Sequence, residues 1–228
     1  MGAVYARGKE ITMPRTITIT GQGHVSLAPD TVSVELTLKA TNKIYDKAMA
    51  SSADMLAKLR GAFAGIGFAE DELKTVGFNV YTEHESIRDK DGNYKTVFAG
   101  YSCVHNLRLD FAFDTAMLSS VLSAVSGCVA DPELNIRFTV KDKKSATDAL
   151  LADAAADALR KAGILASASG VSLGKLLEIS YSFGSADVYS RTSYRMEAKC
   201  MAAGNDGISI HPDSIELNDR ATFTWEIV

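Results

Sequence analysis

Hydrophobic and polar residues alternate through the first two periodic stretches of the chain. Ile17, Ile19, Val25 and Leu27 share one parity, and Thr16, Thr18 and Thr20 share the other. After the turn signal Pro29-Asp30, Val32, Val34, Leu36 and Leu38 face one way and Ser33, Glu35, Thr37 and Lys39 the other. A period of two marks half-buried strands. Gly21 and Gly23 fall on the apolar parity of the first stretch. A Gly-x-Gly pair suggests a phosphate loop, but such a loop needs a helix directly after it to present backbone N–H groups to the anion. Here a second strand follows, so the glycines mark a kink, a bulge or a place where a neighbour packs too closely for a Cβ.

Further along, the period changes. Tyr45, Ala48, Met49, Ser52, Leu56, Leu59 and Phe63 recur at helical spacing, with Gly65 and Gly67 as stop signals. A strand is predicted from about Lys74 to His84, then a hairpin turn at Asp91-Gly92. The returning strand places Tyr101, Cys103, His105, Leu107, Leu109 and Phe111 on one face. Asp114 caps a short helix with Met117, Leu118, Val121, Leu122 and Val125 inward. Ile136, Phe138 and Val140 form another alternating strand. A long alanine-rich helix follows, with capping-box spacing at Ser145 and Asp148 and an acid-before-base pair at Asp157 and Lys161. So many alanines let that helix lie very close to its support. A strand over 176–183 puts Leu177, Ile179, Tyr181 and Phe183 on one face, and the last strand carries Phe223, Trp225 and Ile227. Residues 184–207, rich in Ser, Gly, Tyr and Arg, show little periodicity. The predicted order is ββαββαβαββ, an α+β fold with helices laid on a mixed, largely antiparallel sheet. Residues 1–13 read as a flexible arm and 14–228 as one domain.

Composition adds limits. A chain of 228 residues buries about 70–75% of its unfolded surface, so it folds without a disulfide or metal. Net charge is -4, which argues against a nucleic-acid backbone or an anionic membrane as main partner. Cys103, Cys128 and Cys200 are odd in number and widely spaced, unlike a disulfide framework or a metal knuckle. No apolar run is long enough to span a membrane, and the first residues lack the apolar core of a secretory signal. The chain is therefore expected to be cytosolic, or of the cell envelope if a signal has been removed.

The chain also resembles the SIMPL family of bacterial proteins. The resemblance rests on TITGQGHVSLAPDTVSVELTL, GFAEDELKTVGFNVY, AGYSCVHNLRL, the alanine-rich helix ending at Gly170 and Gly174, and ISIHPDSIELNDRATFTWEI. It implies an α+β fold, self-assembly, and links to stress tolerance, envelope biology or partner binding. It supplies no catalytic motif. Two departures are the missing secretion signal and Pro212-Asp213 in place of the usual Pro-Gly.

Candidate chemistry is sparse. Cys103 and His105, at i and i+2 on one face, could pair a thiol with a base. A shared core face is the competing reading, since free cysteine is among the most buried residue types. In Glu83-His84-Glu85 only the two glutamates converge, which suits a solvated hairpin arm better than a metal site. His24 and His211 stand alone near turns. Tyr189, Arg191, Tyr194 and Arg195 fit a loop or subunit contact better than a nucleic-acid site in so acidic a chain. No cofactor or metal site is expected. Self-assembly is expected, with contacts through Tyr81, Ile87, Tyr94 and Phe98 on the hairpin and Tyr189, Tyr194 and Met196 beyond it. A thiol enzyme or redox sensor built on Cys103 and His105 is the alternative.

Overall fold

A computed structural model describes residues 4–6, 9–11, 15–88, 92–128, 132–182, 187–197 and 210–228. In chain order the elements are β1 (Val4–Ala6), β2 (Lys9–Ile11), β3 (Thr16–Leu27), β4 (Thr31–Asn42), α1 (Tyr45–Ala64), β5 (Leu73–Arg88), β6 (Tyr94–Ala112), α2 (Thr115–Ser126), β7 (Glu133–Thr139), α3 (Lys143–Ala168), β8 (Leu173–Ser180), β9 (Tyr189–Glu197) and β10 (Ile215–Ile227). The fold is α+β, as the periodicity predicts. All described strand pairings are antiparallel, and the strands divide into separate sheets. The chain forms two compact units. One contains residues 1–27, 142–188 and 215–228; the other contains 28–141 and 189–214. Within the first, β1 and β2 pair with each other.

The first unit is built on a three-stranded sheet in the order β3-β10-β8, with α3 on one face. Ala154, Ala158 and Ala162 form the buried helix stripe, packed with Ala221, Phe223 and Trp225 of β10. The small stripe lets the helix backbone come down onto β3. A Cβ on Gly21 would collide with the Ala154 carbonyl oxygen and lie 2.8 Å from Ala158 Cβ. A Cβ on Gly23 would collide with the Leu150 carbonyl oxygen and lie 3.1 Å from the Ala154 nitrogen. The glycines are therefore required by helix-on-strand contact.

The same approach closes the open edge of β3. The N–H of Gln22 donates to Asp157 Oδ2 at 2.9 Å, and the N–H of His24 donates to Asp153 Oδ2 at 2.8 Å. Two carboxylates one helical turn apart thus match two edge donors two residues apart, which shields an edge strand from further pairing. Asp157 also pairs with Lys161 at 2.6 Å, as its spacing predicts, and with Arg160. The helix begins one turn earlier than the Ser145 spacing suggests. Asp142 is the N-cap, its Oδ1 accepting from the Ser145 N–H at 2.9 Å.

The far edge differs from expectation. β8 was expected to bury one face, but Leu176, Leu177 and Ile179 are all exposed. A register shift between Leu176 and Glu178 breaks the simple alternation, and β8 is an edge strand. Phe183 lies outside the described residues.

The second unit packs α1 and α2 on a five-stranded sheet in the order β5-β6-β4-β7-β9. Its core joins Val32, Val34, Leu36 and Leu38 to Leu107, Leu109, Ile136, Phe138, Leu59, Phe63, Leu118 and Val121. The Asp114 cap forms as predicted, with the Ala116 N–H donating to its Oδ1 at 2.7 Å. α1 ends in a Schellman motif: the Phe68 N–H reaches the Phe63 carbonyl, the Gly67 N–H reaches the Ala64 carbonyl, and Gly67 has φ +100. The Phe63 and Phe68 rings then meet edge-on. The turn residue Asp91 lies outside the described residues; its neighbour Gly92 has φ +87.

Strand β9 was not expected from the alternation of residues 184–207. Its inward positions include Ser190 and Thr192, whose hydroxyls are occupied by the Asp213 carbonyl and N–H respectively, so no apolar rhythm announces it. Two bulges also interrupt β5 and β6. Thr75 pairs with Leu107 and Gly77 with Asn106, leaving Val76 as an extra residue; Glu83 pairs with Gly100 and His84 with Phe98, leaving Ala99.

Gly21→Ala and Gly23→Ala should each lower stability by about 1–3 kcal/mol in a denaturant melt, since overpacking forces the helix off the strand. Unchanged midpoints would disprove the close approach. Asp157 is held below the usual carboxylate range, first by the Gln22 N–H and then by Lys161. Its contribution is therefore present above the usual carboxylate range and lost as pH falls through the depressed folded value. The stability gap between the parent and Asp157→Ala should be full at neutral pH and shrink below about pH 4. A gap independent of pH would count against the Asp157 clamp.

Candidate functional site

Strand alternation on β6 places Cys103 and His105 under α1, the face expected from the sequence. Cys103 is fully buried, with Sγ 3.6 Å from Met49 Sδ. Burial pushes its thiol pKa up, opposite to what a nucleophile needs. His105 takes different partners. Its Nε2 lies 2.9 Å from Thr75 Oγ1, and its ring meets Phe78 edge-on at 5.1 Å. Burial first, and the Arg60 charge second, lower its pKa, so the imidazole is neutral at physiological pH. No hydrogen bond joins the two side chains among the described residues, and the thiol has no base.

The other candidates are held by local contacts. Glu83 pairs with Lys39 at 2.7 Å, and that hydrogen bond lowers the carboxyl pKa and raises that of the lysine. His84 turns its ring toward Phe98. His24 reaches Asn218 at 3.0 Å and Glu216 at 3.3 Å across the β3–β10 pair, and His211 is exposed. Among the described residues no three His, Cys, Asp or Glu side chains converge as metal ligands. No helix of the described residues is long and apolar enough to cross a membrane.

The expected contact residues fall into two groups. Tyr81, Ile87, Tyr94 and Phe98 lie on the β5–β6 ribbon and are 46%, 44%, 77% and 48% exposed. The ribbon register puts Tyr94 and Phe98 on the helix side of the sheet and Tyr81 and Ile87 on the other, so both faces carry exposed apolar groups. Edge-to-face rings run from Tyr45 through Tyr101 to Phe98 and His84, which stiffens the base of the ribbon. Tyr189 and Tyr194 are half-buried on β9. The Arg137 guanidinium sits 5.1 Å from the Tyr189 ring centroid, and Tyr194 packs against the core. Met196 pairs by backbone with Leu134, and its side chain lies outside the described residues.

The sequence reading missed the bulge at Val76 and the side chains it arranges. A trace exists: the inward positions Leu73 and Thr75 are odd, whereas Phe78 and Val80 are even, and the switch falls on Val76-Gly77.

The described residues thus define an antiparallel α+β protein of two units, in which the most reactive side chains serve packing, edge capping and ion pairing. The chain belongs to the SIMPL family: the family profile, described as protein of unknown function (DUF541), matches residues 17–225. It is similar to the 26 kDa periplasmic immunogenic protein of Brucella melitensis biotype 1, with 29% identity over 172 residues that cover 74% of this chain and 67% of the relative. The protein of the same name from Brucella abortus strain S19 is 28% identical over the same shares.

Cys103 should resist a thiol reagent in the native protein and react once denaturant unfolds the chain. Labelling of native Cys103 as fast as an exposed thiol would revive the thiol-enzyme reading.

Proposed function

We propose that this chain is a self-assembling, non-enzymatic binding or scaffold protein of the bacterial envelope, and that the β5–β6 ribbon makes its principal subunit contacts. The observation that carries this reading is the exposure of Tyr81, Ile87, Tyr94 and Phe98 on both faces of one ribbon. Apolar and aromatic groups gathered in this way mark interaction surfaces. β9, the opposite edge of the same sheet, supplies a second contact with Tyr189, Tyr194 and Met196. Closed point-group symmetry, the usual arrangement of homo-oligomers, is the expected form of the assembly. The envelope location rests on the relatives, whose names call them periplasmic.

Light scattering on the purified protein tests the reading. The parent should behave as a multimer at micromolar concentration. Replacing residues 86–96 by a short turn, or combining Tyr94→Asp with Phe98→Asp, should reduce the assembled mass while leaving the melting transition in place. A monomeric parent, or variants that keep the parent mass, would refute ribbon-driven assembly.

A further inference from the structure

α1 and the edge strand β5 border a shallow, open groove of about 350 Å³, lined by Met49, Ser52, Ala53 and Leu56 from the helix, Thr75 and Phe78 from β5, and His105 from β6. This volume stands at the low end of the range for small-molecule pockets. Its lining has the composition such sites share, apolar walls with a few polar atoms.

Two features make it more than a gap between elements. The first is the Val76 bulge. In a regular strand, Thr75 and Phe78 would point to opposite faces. The extra residue sets Thr75 opposite Leu107 and Phe78 opposite His105, so both side chains reach the helix side and flank the imidazole. Bulges often re-aim side chains in this way beside binding sites.

The second is His105 itself. The residue is more than nine-tenths buried, yet it lines the groove. Nε2 is engaged by Thr75 Oγ1, while Nδ1 has no hydrogen-bond partner among the described residues. A ring nitrogen without a protein partner, on a residue that lines a groove, is available to a polar group that enters it. The ring is neutral, its charge opposed by burial and by Arg60. The Thr75 hydroxyl can serve Nε2 as donor or acceptor; in the tautomer a free neutral imidazole prefers, Nε2–H donates to Thr75 Oγ1 and Nδ1 presents a lone pair.

We propose that this groove binds a compact, largely apolar molecule that offers one N–H or O–H donor to His105 Nδ1. Phe78 and Leu56 supply the apolar walls, and Met49 adapts to the ligand outline. The site is independent of the ribbon contacts.

Indole is a suitable probe, and indene is its near-isostere without the N–H. Titration of the whole protein, followed by calorimetry and by amide shifts, should show saturable one-site binding of indole, with shifts centred on Phe78 and His105. Indene should bind about tenfold more weakly, the loss expected when one buried hydrogen bond goes unmade. Ala53 is exposed on α1, so Ala53→Leu should fold normally, fill the groove and weaken indole binding by at least about tenfold, a steric estimate in line with overpacking costs. Absence of saturation at millimolar indole would overturn the proposal, as would equal binding by Ala53→Leu. Equal affinity for indole and indene on the parent would overturn the role of His105 without recourse to any variant.

Discussion

Backbone contact between α3 and β3 is the constraint on which the first unit depends. A three-stranded sheet with one covering helix has little apolar area to bury, so the quality of its contact matters more than its extent. Gly21 and Gly23 on the strand and Ala154 and Ala158 on the helix remove the side chains that would hold the two backbones apart. Close approach then brings Asp153 and Asp157 within reach of the strand edge, where they accept the His24 and Gln22 N–H groups. Packing and edge protection are one arrangement. Ion pairs with Lys161 and Arg160 reinforce Asp157 in its charged state.

The second unit solves a different problem. Its five strands and two helices form an ordinary apolar core, but β5 and β6 continue past the area the helices cover. Aromatic rings stacked edge-on hold the ribbon in register over its first part, and farther out the apolar groups face solvent on both sides. The bulges at Val76 and Ala99 change which residues face the helices without ending the pairing. One unit thus carries both a ribbon with exposed apolar groups on two faces and a small groove lined in part by a neutral histidine.

Cys103 and His105 show why two promising residues on one face need not make a site. Their spacing brings both beneath α1, but the thiol turns to Met49 and the imidazole to Thr75. The burial that raises the thiol pKa also lowers that of the imidazole, so both remain neutral and neither activates the other. Sequence spacing reported the shared face correctly. The partners came from α1 and β5, which no spacing along β6 encodes.

Much of the fold was legible because side-chain period is a local property. The parity of Val32 to Leu38, the helical recurrence from Tyr45 to Phe63, the Asp114 cap and the Asp157–Lys161 pair each depend on residues a few positions apart. Close packing was one of three readings open for Gly21 and Gly23, and the structure selects it by laying α3 on β3. β9 escaped because its inward Ser190 and Thr192 bond to the segment at Asp213 rather than join an apolar face. The division of the strands among separate sheets escaped for a more general reason. β3 pairs with β10, and Thr18 meets Thr224 across 206 positions of chain. Strands pair through backbone N–H and C=O groups that are the same in nearly every residue. The sequence by itself therefore determined which face of β4, β6 and β7 is apolar and where α1 and α2 start and stop. Tertiary structure alone decided which strands are neighbours, which strands lie at sheet edges, and which side chains from α1 and β5 gather beside His105.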